Sequence, residues 1–228
     1  MTTLLASLKS LFKPRQVKVT GAKLYAACVA QARLPVFYLD YDIEDAIGAR
    51  FELLALHVIM AVTRLKAVPA DDRRQEQALD TSQSLFDSFL LALDSALREQ
   101  GTGDLTVPKK MKRLGVVIYS RMKRWDDMWR DGAPLAEQAG YASRTIFAGS
   151  AYAGDDDNDD DTAVAADVAD RAAVFAGYVA AARASLDVDS LLRGDIVWPQ
   201  PPGFETAALE TTPDSVDSST VDAVAVEA

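Results

Sequence analysis

Few residues in this 228-residue chain are equipped for covalent or metal chemistry, and their spacing argues against a catalytic centre. His57 is the only histidine. That removes any His-x-x-x-His metal pair and leaves one imidazole for a nucleophilic triad. It sits in the apolar run Leu53-Leu54-Ala55-Leu56-His57-Val58-Ile59-Met60, where a hydrogen-bonded core or edge histidine is favoured over a general base. Glu52, five positions earlier, falls off its helical face and is no evident orienting partner. Cys28 is the only cysteine and lies in Tyr25-Ala26-Ala27-Cys28-Val29-Ala30. It therefore reads as a buried, inert thiol, and an internal disulfide framework or a multi-cysteine zinc or iron–sulfur site is excluded. Asp155, Asp157 and Asp159 begin a calcium-loop pattern, but Asp160 stands at the bend glycine and Ala166 at the closing glutamate. Gly101-Thr102-Gly103-Asp104-Leu105 suggests a phosphate loop only superficially. It follows a helical pattern rather than a strand, and it has neither the dinucleotide fingerprint nor the Walker spacing. No cofactor and no metal are expected.

Charge points elsewhere, to binding. The net charge of −10 is unevenly spread. Residues 151–228 hold three arginines and 17 acidic residues, leaving 21 basic and 17 acidic residues for 1–150. Between Leu105 and Arg124 lie Lys109, Lys110, Lys112, Arg113, Arg121, Lys123 and Arg124 with no acid among them. Such a field suits anionic lipid head groups, RNA phosphates or an acidic protein surface. A solvated polar face around a buried stripe is the plainer reading. No RNA-module motif accompanies it, and DNA is not an expected partner. The acidic C-terminal stretch is also suited to folding back on these cations.

These residues need helices to position them. Leu4, Leu5, Leu8, Leu11 and Phe12 mark one face of a short helix accompanied by Lys9, Lys13, Arg15 and Lys18. The first acid in the chain is Asp40. A membrane-surface or partner-docking helix, an arm packed on the body and a transit peptide all fit that pattern. Further helices are expected at about 23–33, 48–66 and 75–100, from the turn at 101–106 to about 129, and at 134–147, 162–185 and 188–192. The connector Val36-Phe37-Tyr38-Leu39-Asp40-Tyr41-Asp42 lies between the first two. Leu79, Phe86, Leu90, Leu93 and Leu97 form the stripe of the 75–100 helix, which Gly101 and Gly103 end. Asp104 or Thr106 is placed to cap the next helix, with Pro108 in its first turn. That helix presents Met111, Leu114, Ile118, Met122, Trp125 and Trp129 on one face. Six carboxylates within Asp155–Asp161 make a solvated linker, and the chain from Pro201 has a disorder-prone composition. No apolar run is long enough to span a bilayer, and no secretory leader pattern follows the start. The expected architecture is an all-α bundle: a basic amphipathic arm at 1–19, one helical domain at 20–200 with an acidic linker at 154–162, and an acidic tail at 201–228.

Several blocks together resemble the ubiquinol–cytochrome c chaperone family over about residues 20–200. They are Leu24-Tyr25-Ala26-Ala27 with Val29-Ala30-Gln31-Ala32-Arg33, and Pro35-Val36-Phe37-Tyr38. Then come Gly48-Ala49-Arg50-Phe51-Glu52-Leu53 with Leu56-His57, and Leu85-Phe86-Asp87 leading to Leu97-Arg98-Glu99. The turn Gly101-Thr102-Gly103-Asp104-Leu105-Thr106-Val107-Pro108-Lys109-Lys110-Met111 is the most specific, and Tyr119-Ser120-Arg121 completes the set. The poly-Asp linker and the acidic tail depart from the family pattern. The resemblance implies a non-enzymatic, all-helical factor that binds newly made cytochrome b and assists assembly of the ubiquinol–cytochrome c reductase complex. It also implies work near the ribosome and the inner membrane with a small partner protein. The lack of a convincing transit peptide, with the Ala/Asp-rich composition, suggests a bacterial cytoplasmic member; peripheral contact with an anionic inner membrane is a further expectation.

The residues expected to meet a client or partner are Phe37, Tyr38, Asp40 and Tyr41 in the connector, and Arg98, Gly101, Gly103, Asp104, Pro108, Lys109, Lys110, Lys112, Arg113 and Arg121 at the turn and basic helix. Two alternatives stand beside this reading. One is a helical adaptor that holds anionic lipid or ribosomal RNA through the basic helix. The other is a hydrolase or lipid-modifying enzyme centred on His57.

Overall fold

The structure is a computed structural model that describes residues 2–148 and 166–203, with side chains given for 16–148 and 167–203. The helices are α1 (Thr2–Ala32), α2 (Val36–Leu39), α3 (Ile47–Lys66), α4 (Gln75–Glu99), α5 (Val107–Arg130), α6 (Leu135–Ala142), α7 (Ala166–Ser185) and α8 (Val188–Arg193). A π-helical turn, Ser143–Phe147, continues α6. No strand occurs among the described residues, so the fold is all-α. The side chains of the basic arm up to Arg15, the acidic linker at 154–162 and the tail beyond Gly203 lie outside the described residues.

The segment that is apolar nearly all round becomes the axis. Along α3, Leu53, Leu56, Val58, Ile59, Met60, Val62 and Leu65 are buried, each contributing roughly 1.5–3 kcal/mol relative to exposure. α1, α4 and α5 pack around it, while α6 and α7 lie against one another. α1 meets α4 at Gly21, where a methyl group would sit 2.6 Å from the Ser84 backbone carbon. Only glycine lets the two helices approach that closely.

The local expectations hold unevenly. The two N-terminal helices expected at about 4–12 and 23–33 are one helix, α1. In α4 the leucine stripe is rotated from its expected face. Leu85, Phe89 and Leu97 are buried, whereas Leu79 is exposed and Phe86, Leu90 and Leu93 are half-buried. The small residues Ala78, Ser82 and Ser84 face inward instead, which permits the close α1 contact. In α5 Leu114, Ile118 and Trp125 are buried as expected, joined by Met128.

The core is completed by a cluster of rings drawn from distant segments. Phe37 lies 5.3 Å from Tyr178, 6.0 Å from Phe175 and 5.9 Å from His57 between ring centroids. Tyr41 and Phe147 each pack edge-on against Phe175, and Trp198 packs edge-on against His57. The chain after α8 crosses this cluster as an extended strap. The Gln31 amide donates to the Pro199 carbonyl at 3.2 Å, and the Tyr41 hydroxyl donates to the Pro202 carbonyl at 2.8 Å. Pro201, where disorder was expected to begin, is buried, so the ordered body reaches at least Gly203.

Candidate functional site

His57 is closed off from any substrate. It is fully buried, and both ring nitrogens have partners: Nδ1 lies 2.7 Å from the Leu53 carbonyl oxygen and Nε2 lies 2.7 Å from the Tyr178 hydroxyl. A carbonyl can only accept, so Nδ1 carries the proton and Nε2 accepts from the tyrosine. The Tyr178 oxygen in turn accepts from the Gln31 amide at 3.0 Å. Burial drives the imidazole pKa down to about 4, so the ring is neutral and acts as a joint between α1, α3 and α7. Cys28 is likewise buried, and desolvation pushes its thiol far above the ordinary range. Among the described residues no group of three or more His, Cys, Asp or Glu side chains is placed to hold a metal ion. The cleft beside α8, lined by Leu186, Ser190, Leu191 and Ile196, offers about 50 Å³, below the size of a substrate pocket.

The connector residues divide between core and surface. Phe37 and Tyr41 are fully buried, which corrects their assignment as client contacts. Their rings complete the aromatic cluster, and that long-range demand outweighs the local appearance of an exposed aromatic loop. Tyr38 is half-buried, and its hydroxyl donates to the Ala32 carbonyl at 3.1 Å. Asp40 is exposed, and Leu39 beside it is 78% exposed. Ile47, at the start of α3, is also exposed. Anchors at 37 and 41 therefore hold out Leu39 between them.

The Gly-x-Gly-Asp turn is built as a helix stop. Gly101 has φ +77°, Thr102 N donates to the Leu97 carbonyl at 3.1 Å and Gly101 N donates to the Arg98 carbonyl at 2.9 Å. This is the Schellman arrangement that closes a helix with a left-handed glycine. Gly103 does not have a positive φ; its carbonyl receives Thr106 N at 2.8 Å and Val107 N at 3.2 Å. Arg98 binds Asp94 at 2.7 Å and also pairs with Asp104, so one guanidinium joins the end of α4 to the turn. That pairing corrects the expected cap: neither Asp104 nor Thr106 caps α5 through its side chain. Pro108 does fall in the first turn of α5.

The basic helix is less uniformly free than its composition implies. Arg121 is withdrawn from the surface. Its Nε lies 3.2 Å from both carboxylate oxygens of Glu52, and its Nη1 donates to the Tyr141 hydroxyl at 3.4 Å. The Glu52 side chain is only 3% exposed. Burial pushes its carboxyl up to about 7 against the opposing pull of Arg121. Arg121 is therefore a half-buried structural partner of Glu52 rather than a free surface cation. Lys123 pairs with Asp127 and Arg124 with Glu137. Lys109, Lys110, Lys112 and Arg113 remain exposed without a carboxylate partner among the described residues, and Lys110 Nζ donates to the Thr102 hydroxyl at 3.2 Å.

Charge counting had missed the apolar component of this face. Leu105 is 97% exposed, Val116 63% and Tyr119 70%. Lys109, Lys112, Val116 and Tyr119 recur three and four positions apart along one outward stripe of α5, and Leu105 precedes it in the turn. Apolar residues out of phase with the buried stripe of α5 were the available signal.

Comparison with known proteins agrees with this architecture. The ubiquinol–cytochrome C chaperone family model matches residues 39–198, beginning after the quoted blocks at 24–33 and 35–38. The solved crystal structure of the Cbp3 homolog from Brucella abortus is similar to this chain at a TM-score of 0.65 and 25% sequence identity, covering 88% of this chain and 97% of that chain. No match is found among curated proteins. Since the family match spans well over half of its length, the chain belongs to the ubiquinol–cytochrome c chaperone family.

Proposed function

We propose that this chain is a non-enzymatic chaperone that binds newly made cytochrome b and escorts it into the ubiquinol–cytochrome c reductase complex. The family supplies the chaperone role. The observation that carries the client reading is the contrast within the connector. Phe37 and Tyr41 anchor in the core, so Leu39 is held out at 78% exposure beside Asp40. A pre-positioned apolar side chain costs little entropy on binding and suits the apolar segments of a membrane-protein client. A lone imidazole bonded at both nitrogens offers no comparable support for hydrolysis.

The test places a photo-activated cross-linking residue at Leu39, with Leu91 of α4, also exposed, as the control. A cytochrome b adduct from position 39 and none from position 91 is the expected result. Equal labelling at both positions, or no cytochrome b at either, rejects the proposed client contact. The same capture reports on the ribosome and on a small partner protein, both implied by the family resemblance.

A further inference from the structure

We propose that the α4–α5 turn and the outer face of α5 form an anionic-membrane docking surface, with Leu105 inserted at the acyl boundary and Lys109, Lys110, Lys112 and Arg113 on the lipid phosphates. This goes beyond client binding and needs no client for its test. The first supporting observation is charge. From Arg98 to Arg113 five cations face two acids, Glu99 and Asp104, in a chain of net charge −10. Asp104 is held by Arg98, so four cations stand without a carboxylate partner among the described residues.

The second observation is the apolar stripe among them. Leu105 projects at 97% exposure from the tip of the turn, and Val116 and Tyr119 continue outward along α5. Leucine at the tip, tyrosine along the flank and lysines between them match an interfacial helix. There apolar burial and attraction to anionic head groups add together, and tyrosine favours the head-group level.

The third observation is rigidity. The left-handed Gly101, the Arg98–Asp104 pair and the Lys110–Thr102 bond fix the turn. The inner side of α5 is anchored by Arg121 on Glu52 and by buried Trp125. The outer face is therefore presented without an ordering cost. No helix among the described residues is long and apolar enough to cross a membrane, so this contact is peripheral. An exposed leucine at the apex favours a bilayer over RNA, whose phosphates need only the cations.

The test is flotation of the purified full chain with vesicles of equal parts phosphatidylglycerol and phosphatidylcholine, against vesicles of phosphatidylcholine alone. Binding to the first, weakened by salt and absent from the second, is expected. Combined Lys109→Glu, Lys110→Glu, Lys112→Glu and Arg113→Glu lowers partitioning by about 100-fold or more. Leu105→Asp lowers it by about tenfold. All five positions are exposed, and an unchanged melting curve verifies the fold of each variant. Leu105→Trp adds a separate readout, a blue-shifted emission on anionic vesicles only. Equal binding to neutral vesicles, no binding to either, or undiminished partitioning of Leu105→Asp overturns the proposal. So does binding of structured RNA with no flotation, which assigns the cations to nucleic acid. None of these results bears on cytochrome b capture.

Discussion

Replacing Arg121 by methionine separates a buried structural pair from a surface binding residue. Glu52 is almost fully inside the protein, and Arg121 supplies its opposing charge. Burial holds the carboxyl at about 7, above its ordinary 4.5. A carboxyl with a raised folded-state pKa contributes most below 4.5 and loses that contribution as pH rises through 7, about 3 kcal/mol over the interval. Methionine fills most of the space of the arginine stem but removes the cation, so the carboxyl rises further. At pH 8 the variant must carry an unpaired buried carboxylate or take up a proton, at a cost of about 3–5 kcal/mol. At pH 5 Glu52 is protonated, and the loss falls to about 1–2 kcal/mol for the missing hydrogen bonds. Urea unfolding followed by far-ultraviolet circular dichroism at both pH values measures the difference between variant and parent. Adding Glu52→Gln to Arg121→Met should recover much of the loss at pH 8. An equal loss at the two pH values, or a loss below about 1 kcal/mol at pH 8, refutes the buried-pair account.

Two further outcomes follow from the turn and the ring network. Gly101→Val forces a branched side chain into φ +77° with open space around it, so strain alone should cost about 1–2 kcal/mol. Gly103→Ala, with no positive φ and nothing within 4 Å, should leave the urea midpoint unchanged; equal effects at both positions contradict the helix-stop reading. Tyr178→Phe removes the hydroxyl that joins His57 to Gln31 and should destabilise by about 1–3 kcal/mol. His57, depressed from 6.5 to about 4, contributes stability that is present above 6.5 and lost as pH falls through 4. His57→Gln should therefore flatten the acid limb of the stability curve between those values, and an unaltered limb contradicts a buried neutral imidazole.

The helices were legible because each carries its own periodic signal. α3 was readable from its apolar run, Leu53–Val62 with His57 inside it, and the end of α4 from a glycine in the position a left-handed stop requires. What sequence reading lost lies in pairings across long separations. Phe37 and Tyr41 look like surface aromatics until α7 brings Phe175 and Tyr178 against them. Arg121 looks free until Glu52, 69 positions earlier, is found beside it. In α4 the spacing of leucines suggested one face, whereas close approach to α1 at Gly21 selected the small residues. Local spacing places a side chain on a face, but only the packed partner decides which face is covered.

The same distinction sharpens the binding surfaces. Burying two connector aromatics leaves Leu39 as the exposed apolar side chain there, and within the basic helix the cations without a carboxylate partner among the described residues lie in its first turns. Exposed apolar side chains therefore stand in surroundings of different charge, Leu39 beside Asp40 and Leu105 near the lysines of α5.

The most direct measurement of the central claim is the haem b spectrum and cytochrome b content of membranes from cells lacking this protein, against the same cells supplied with the parent chain or with Leu39→Asp. The account predicts loss of haem b absorbance and of cytochrome b without the protein, restoration by the parent chain, and poor restoration by a Leu39→Asp chain that melts normally. Full cytochrome b with normal haem in the absence of the protein would contradict it.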